Sequence, residues 1–546
     1  MNLPEVFNVA THFVDRHIGE GRGAKVAIEC GDERVTYQQL LERVNRTGSA
    51  LRDHLGVRQE ERVALLLLDT PDFTSSFFGA IKIGAVPVPI NTLWKTAEYR
   101  YVFNDSRARV LIISAALLPE FERIPRSELP HLEHVIVSGG GGSTGVNSGS
   151  TGVNSGSKDP LYLLRAEGSP ELVAAPTSKD EAAFWLYSSG STGAPKACVH
   201  LHHDMVVCAE SFAKGVMGIR EDDRCFSVPK LFFAYGIGNA MYFPLAVGAT
   251  SILFPGPPLP ANVYAMIEAH RPTLFFSVPT GYAMMLSHPF DSAERKRPAS
   301  LRAGQTDFDL STVRLAVSAG ESLPAALFER FKARFGVDII DGIGSTETLH
   351  MFIANRPGAI RPGSSGVMVP GYEARILNDD GHPVKRGDVG HLYIKGDSIC
   401  ACYWNQHEKT KATISGEWIR TGDTYSQDED GYFWHGGRSD DMLKVGGLWV
   451  SPTEVEHVLI EHPAVQECAV IAREDRDGLV KPHACVVLRA GISGDDELAV
   501  TLQGFVRQKL ADYKRPRWVE FVPELPKTAT GKIQRYQLRD RLTARG

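Results

Sequence analysis

Eight cysteines are spread over 546 residues, at 30, 198, 208, 225, 400, 402, 468 and 485, and no two of them form a Cys-x-x-Cys pair. This scatter argues against a disulfide framework or a zinc site, and it makes reduced cytosol the natural setting. Long apolar runs are also missing. The stretch 110–118 is among the longest and is broken by Ser114, far short of the roughly 18 residues of a membrane span. The start Met1-Asn-Leu-Pro-Glu-Val has no basic residues leading into an apolar run, so no secretory signal is expected. A basic surplus is absent too. The chain has 59 Lys and Arg against 65 Asp and Glu, a net charge of −6 and a pI near 6.3. That balance argues against a general nucleic-acid binder, although local loops can still take small anions. Neither a nucleic acid nor a membrane is therefore expected as a partner.

The chain does have ample material for a core, being 43% hydrophobic and 23% charged. Its length suggests about three to four domain-sized units. The first hundred residues alternate strand and helix signals. A period-two run at 25–30 precedes Thr36-Tyr-Gln-Gln39, which reads as a capping box. Leu40, Leu41, Val44, Leu51 and Leu55 then recur at helical spacing, and Gly56 supplies a stop. The run 62–68 resembles a strand buried on both faces, 71–83 a helix and 85–90 another strand. Repeated βα units predict an α/β architecture with largely parallel sheets. Residues 143–149 and 150–156 repeat Ser-Thr-Gly-Val-Asn-Ser-Gly, so 139–157 reads as a flexible Gly/Ser loop without a catalytic role. Near 436–447, glycines and paired aspartates interrupt the pattern. The chain restarts at Ser451-Pro-Thr-Glu454, which reads as an N-cap, a first-turn proline and a capping-box glutamate. Strands near 465–472, 483–488 and 518–522 with a helix at 496–510 complete a compact α+β unit. The expected division is a large domain over 1–439 and a small one over 440–546, joined by a hinge at Asp440.

Four segments carry chemistry. In Tyr187-Ser-Ser-Gly-Ser-Thr-Gly-Ala-Pro-Lys196, glycines admit close backbone amides, hydroxyls add donors and the lysine adds charge. The composition suits phosphate, but Pro195 and Ala197 exclude a Walker loop. In Asp341-Gly-Ile-Gly-Ser-Thr-Glu347, no third glycine completes a dinucleotide fingerprint. Thr346 could donate to a phosphate and Glu347 could hold a divalent metal. An acidic residue such as Asp423, with Arg438 further on, suits a ribose diol. Finally, Pro526-Lys-Thr-Ala-Thr-Gly-Lys532 presents a lysine beside a glycine turn, ahead of a helix at 534–542. The histidines 200, 202 and 203 cluster beside Asp204 but lack a recognisable fourth ligand, so a metal is not expected there.

In order and spacing, these four segments resemble the adenylate-forming superfamily of acyl-CoA synthetases, peptide-synthetase adenylation domains and beetle luciferases, over nearly the whole chain. Within it, Pro229-Lys-Leu-Phe-Phe-Ala-Tyr-Gly-Ile-Gly-Asn239, Gly344-Ser-Thr-Glu-Thr-Leu-His350 and Ser439-Asp-Asp-Met-Leu-Lys-Val445 are similar to benzoate–CoA ligases and their hydroxybenzoate relatives. The resemblance implies a large βα-layered N-terminal domain and a small mobile C-terminal one. The implied activity is ATP- and Mg²⁺-dependent joining of a small aromatic carboxylate to coenzyme A through an acyl-adenylate. It implies that Ser188, Ser189, Gly190, Ser191, Thr192, Gly193 and Lys196 bind the β- and γ-phosphates. Thr346 would contact the α-phosphate, Glu347 would hold Mg²⁺, and Lys532 would bridge the carboxylate and the α-phosphate. Asp341, Gly342 and Ile343 belong to the implied nucleotide site, Ala319, Gly320 and Glu321 would flank the adenine, and Asp423 and Arg438 would bind ribose. Two departures stand out. Ile343 occupies a position that is usually aromatic, so it can pack on adenine but offers no π-face, and Ala197 replaces a common glycine. After rotation at Asp440, Lys444, Gly446, Gly447 and Trp449 would line the pantetheine channel. Ala234, Tyr235, Gly344 and His350 would line the acyl pocket, whereas Phe232, Phe233 and Phe243 read as ordinary core. A hydroxybenzoate, 2-aminobenzoate or another small cyclic acid remains open as substrate. So do transfer to a carrier protein, a silent nucleotide-binding regulator, and a homodimer.

Overall fold

The computed structural model describes residues 2–139, 160–188, 194–288, 308–438, 441–445, 448–476, 479–527 and 533–545. The expected helix after the capping box runs Tyr37–Asp53, and Thr36 and Gln39 cap it reciprocally. Its apolar face packs on helix Pro71–Lys82, which follows the buried strand Arg62–Leu66. That strand belongs to a four-stranded sheet in which every pair is parallel. A nine-stranded sheet forms the larger layer. It is parallel from Val26–Cys30 across to Ile339–Gly344 and antiparallel only at its two edges. The α/β expectation therefore holds in these two layers.

Two further sheets depart from the βα pattern. Strands Ala182–Ser188 and Lys196–Leu201 form an antiparallel hairpin, with Cys402–Tyr403 added alongside. Strands Glu373–Leu377, Gly390–Lys395, Trp418–Gln427 and Phe433–Arg438 form a second antiparallel sheet. Its strand Gly390–Lys395 alternates buried and half-buried positions, as expected for a sheet covered on one face.

Among the described residues, the apolar cores divide between Phe433 and Leu443. The clusters of the first part end at Phe433, and those of the second contain residues 443–542. The second part has strands Val465–Glu474, Val480–Leu488 and Trp518–Phe521 with helices Pro452–Glu461, Asp496–Lys509 and Arg535–Arg545. Ser451 caps its first helix as expected. Glu454, however, does not complete a box, because its carboxylate turns to Lys514 at 2.7 Å, a stronger charge-assisted partner. Apart from Gly139, the repeat segment 139–157 lies outside the described residues, as does Asp440.

Candidate active site

The site is built where the Ile339–Gly344 strand leaves the large sheet beside the antiparallel hairpin. Ser188 and Lys196 are paired across that hairpin. Ser189, Gly190, Ser191, Thr192 and Gly193 lie outside the described residues. The Ser188 hydroxyl is buried and has no partner among the described residues. The Lys196 ammonium is 3.7 Å from Glu347 Oε1 and 4.4 Å from the centre of the Tyr403 ring. The Tyr403 hydroxyl donates to the same Glu347 oxygen at 2.7 Å. Burial pushes the Glu347 carboxyl up, but Lys196 and the Tyr403 hydroxyl more than offset it, leaving the carboxyl below its ordinary range. An ionised, largely enclosed carboxylate beside a cation can hold a hard divalent ion together with phosphate oxygens, so the residues present fit Mg²⁺.

Backbone geometry fixes how the following turn is presented. At Gly344 an added Cβ would lie 2.5 Å from the carbonyl oxygen of His350, so only glycine lets the two backbones approach this closely. The carbonyls of Thr346, Glu347 and Thr348 are each held. They accept in turn from His200 Nε2 at 2.8 Å, the Cys400 amide at 2.7 Å and the Ser398 hydroxyl at 2.7 Å.

On the nucleotide side, Gly320 has φ +91°, a left-handed turn that glycine adopts readily, between the buried Ala319 and Glu321. Thr280 donates to the Glu321 carboxylate at 3.1 Å. Asp341 is buried at the inner end of the same region, and Gly342 approaches the backbone of Ile353. Ile343 is half-buried and packs on the main core. Asp423 and Arg438 face each other on neighbouring strands, with the guanidinium 3.3 Å from the carboxylate.

The expected acyl-pocket residues come together as well. The His350 ring lies 5.6 Å from that of Tyr235, 4.9 Å from Phe212 and 4.5 Å from Phe243. Burial lowers its pKa to about 3, so the ring is neutral. The Tyr235 hydroxyl donates to the Val317 carbonyl at 3.0 Å, and Ala234 is buried at the start of the same helix. Phe232 and Phe243 are core residues, and Phe243 backs the wall that His350 forms. Lys532, Gly446 and Gly447 lie outside the described residues, as do the side chains of Lys444 and Trp449. Arg535, three positions after Lys532, lies close enough to Glu321 to feel its charge.

The histidine group is pinned by protein partners. His200 contacts Asp204, His202 accepts from the Val9 amide at 3.1 Å, and His203 contacts the Asp397 carbonyl at 2.9 Å. Among the described residues, the cluster with metal-ligand spacing is elsewhere, at His483, Cys485 and Glu520. Sequence reading missed Tyr403, His200 and Asn239, whose Oδ1 lies 3.2 Å from His350 Nε2. Tyr403 reaches Glu347 through a strand pairing between distant segments, which local pattern does not signal. His200 lies at the end of a strand and Asp204 opens the next helix, so their contact comes from the turn between these elements and not from a helical spacing.

The AMP-binding enzyme family matches residues 15–404, and its C-terminal domain matches residues 454–532. A benzoate–CoA ligase of Thauera aromatica is 47% identical over 540 residues, covering 99% of this chain and 97% of that protein. A 4-hydroxybenzoate–CoA/benzoate–CoA ligase of Rhodopseudomonas palustris is 43% identical, covering 98% and 94%. Among solved structures, an anthranilate CoA ligase in complex with anthranoyl-AMP superposes with a TM-score of 0.90 at 44% identity, covering 100% of this chain and 99% of that one. A benzoate CoA ligase from Burkholderia xenovorans LB400 gives a TM-score of 0.85 at 44% identity, covering 98% and 100%. Together, these matches establish the chain as an enzyme of the AMP-binding, adenylate-forming family, which uses ATP and coenzyme A.

Proposed function

We propose that this enzyme is an ATP-dependent aryl–CoA ligase that converts benzoate, ATP and CoA to benzoyl-CoA, AMP and pyrophosphate. The observation that carries the reading is the continuity of one strand. Ile339–Gly344 ends with Gly344 against the backbone of His350, whose neutral ring packs beside Tyr235, and three residues later the chain presents Glu347 beside Lys196. A flat, uncharged ring suits that wall, and a carboxylate attached to it would face the phosphates.

In the first half-reaction a carboxylate oxygen attacks the α-phosphorus. The bond to the bridging oxygen breaks, and pyrophosphate leaves with the electron pair. The difficulty is electrostatic, since two anions must meet. Lys196 and the hairpin amides bind the departing phosphates, the Thr346 hydroxyl donates to the α-phosphate, and Lys532 bridges it to the acid. Asp423 accepts from the ribose hydroxyls while Arg438 holds its carboxylate in place. Mg²⁺ held by Glu347 would supply further screening of the phosphate charge. The 319–321 backbone and Ile343 frame the base. In the second half-reaction the C-terminal domain turns at Asp440 and presents Lys444, Gly446, Gly447 and Trp449. The CoA thiol then attacks the acyl carbonyl, loses its proton and displaces AMP.

A second reading, 2-aminobenzoate as the acid, is favoured by the likeness to the ligase solved with anthranoyl-AMP. The discriminating experiment is AMP formation with ATP, Mg²⁺ and CoA across benzoate, 2-aminobenzoate, the three hydroxybenzoates, cyclohexanecarboxylate, acetate and octanoate. CoA-dependent turnover greatest with benzoate supports the first reading. Turnover greatest with another acid moves the substrate. Lys532→Ala should slow adenylate formation by about 10²–10³-fold while leaving thioester formation from supplied benzoyl-adenylate much less affected. Equal losses in the two steps would remove Lys532 from its role.

A further inference from the structure

Three consecutive carbonyls hold the Thr346–Thr348 turn, and His200 supplies the anchor on the Thr346 carbonyl, next to Glu347. His200 and Asp204 are both fully buried. The imidazole lies flat against Phe184, with ring centres 5.2 Å apart and planes 17° from parallel. Its Nε2 is 2.8 Å from the Thr346 carbonyl and its Nδ1 is 2.7 Å from Asp204 Oδ2. That same carboxylate oxygen accepts from the Leu201 amide at 3.1 Å, and His203 Nε2 stands 3.1 Å from the other oxygen. A carbonyl only accepts, so Nε2 must carry a hydrogen. Nδ1 faces Asp204 Oδ2, and that contact holds the ring in the orientation that aims the Nε2 hydrogen at the Thr346 carbonyl.

We propose that His200 and Asp204 form a positioning dyad that fixes the Thr346–Glu347 peptide for phosphate and metal binding. The Thr346 carbonyl and the Glu347 amide belong to one trans peptide and point to opposite sides. Drawing the carbonyl back onto His200 turns the Glu347 amide the other way, where it leans on its own carboxylate. The side chain that contacts Lys196 and Tyr403 is thereby set from behind. Neither dyad residue touches a reacting atom; both act through the peptide. This inference rests on the aryl–CoA ligase reading of the site.

The test compares His200→Gln, His200→Asn and Asp204→Asn in the full-length enzyme. Glutamine can keep a donor near the position of Nε2, and asparagine keeps one near Nδ1 only. In Asp204→Asn the cavity keeps its shape but the negative charge is lost. The amide can donate to Nδ1 or accept from it, so the tautomer that aims the Nε2 hydrogen at the Thr346 carbonyl is no longer enforced. The expected result is that His200→Asn and Asp204→Asn lower the AMP-forming rate and weaken Mg²⁺-dependent ATP binding by about 10–100-fold, the range seen when the partners behind a metal ligand are removed. His200→Gln should recover most of both, and thioester formation from supplied acyl-adenylate should change little in all three. Calorimetric titration with ATP and Mg²⁺ reads binding without turnover, and thermal melts identify any variant that does not fold. Equal effects of the Gln and Asn variants, wild-type binding in Asp204→Asn, or equal losses in both half-reactions would overturn the dyad. If wild-type enzyme forms no AMP with any acid in the panel while binding ATP normally, the functional reading fails, and the binding comparison still decides the dyad.

Discussion

Burial pushes the Asp341 carboxyl up to about 8, and the Leu323 amide, which donates to it at 3.4 Å, offsets only part of that push. At neutral pH the side chain is therefore a neutral acid, close in shape and charge to an amide. The sign of its effect on stability follows. The unfolded chain releases this proton near the ordinary value of 3.8 while the folded one keeps it, so Asp341 destabilises the fold increasingly as pH rises from about 4 to 8. Asp341→Asn should melt higher than wild type by a margin that grows over that interval and is flat above it. A wild-type-like melting profile at every pH would contradict a protonated Asp341. The opposite logic applies to Glu347. Its carboxyl is held low against burial chiefly by Lys196. Lys196→Met should therefore move the acid limb of the kcat/KM profile for ATP to higher pH, in addition to weakening phosphate binding. An unmoved acid limb would show that Lys196 does not set the charge of Glu347.

At the scale of elements, the Ile339–Gly344 strand has to deliver a turn into the cleft, and its terminal glycine makes that delivery possible. Because a Cβ at 344 would meet backbone atoms of His350 and Met351 at 2.5–2.8 Å, the neighbouring strand cannot yield as a flexible side chain would. Gly344→Ala should cost about 1–3 kcal/mol in urea unfolding, as overpacking does, and should reduce adenylation more than that loss alone explains. Stability like that of wild type would mean the turn can relax freely. How much of this region was readable from sequence depended on locality. The Thr36–Gln39 cap, the Ser451 N-cap and the parallel βα units rest on neighbours within a few residues, and all form as the pattern implies. The approach of Lys196, Glu347, Asp423 and Arg438 to their partners could be placed only through resemblance to a known family. Tyr403 had neither aid. It reaches Glu347 because Cys402–Tyr403 pairs with Lys196–Leu201 across two hundred residues. The antiparallel sheet of 373–438 was missed for a different reason: its strands are half exposed, and their alternation is weak beside the continuous apolar runs of the parallel layers.

For the whole molecule, the question is what holds the two cores together. Helix Pro452–Glu461 of the smaller part packs on strand Phe433–Arg438 of the larger one. At that contact His457 feels His435, which itself stands 3.7 Å from Asp423. Burial, aided by His435, lowers the His457 pKa from 6.5 to about 4, so the packed arrangement holds this ring neutral. If the small domain turns at Asp440 during catalysis, the ring is released and titrates near its ordinary value. The packed arrangement then keeps its full advantage above pH 6.5 and loses ground as pH falls toward about 4, at most about 1.4 kcal/mol, or tenfold, per pH unit. Energy transfer between site-specific dyes at the exposed positions Val173 and Val500 would follow the two domains directly. The expected outcome is a shift away from the packed state on acidification from pH 7 to 5.5, and His457→Gln should flatten it because glutamine has no proton to take up. A wild-type signal independent of pH, or an equal response in the variant, would show that the domain contact is set by its apolar packing and not by this histidine.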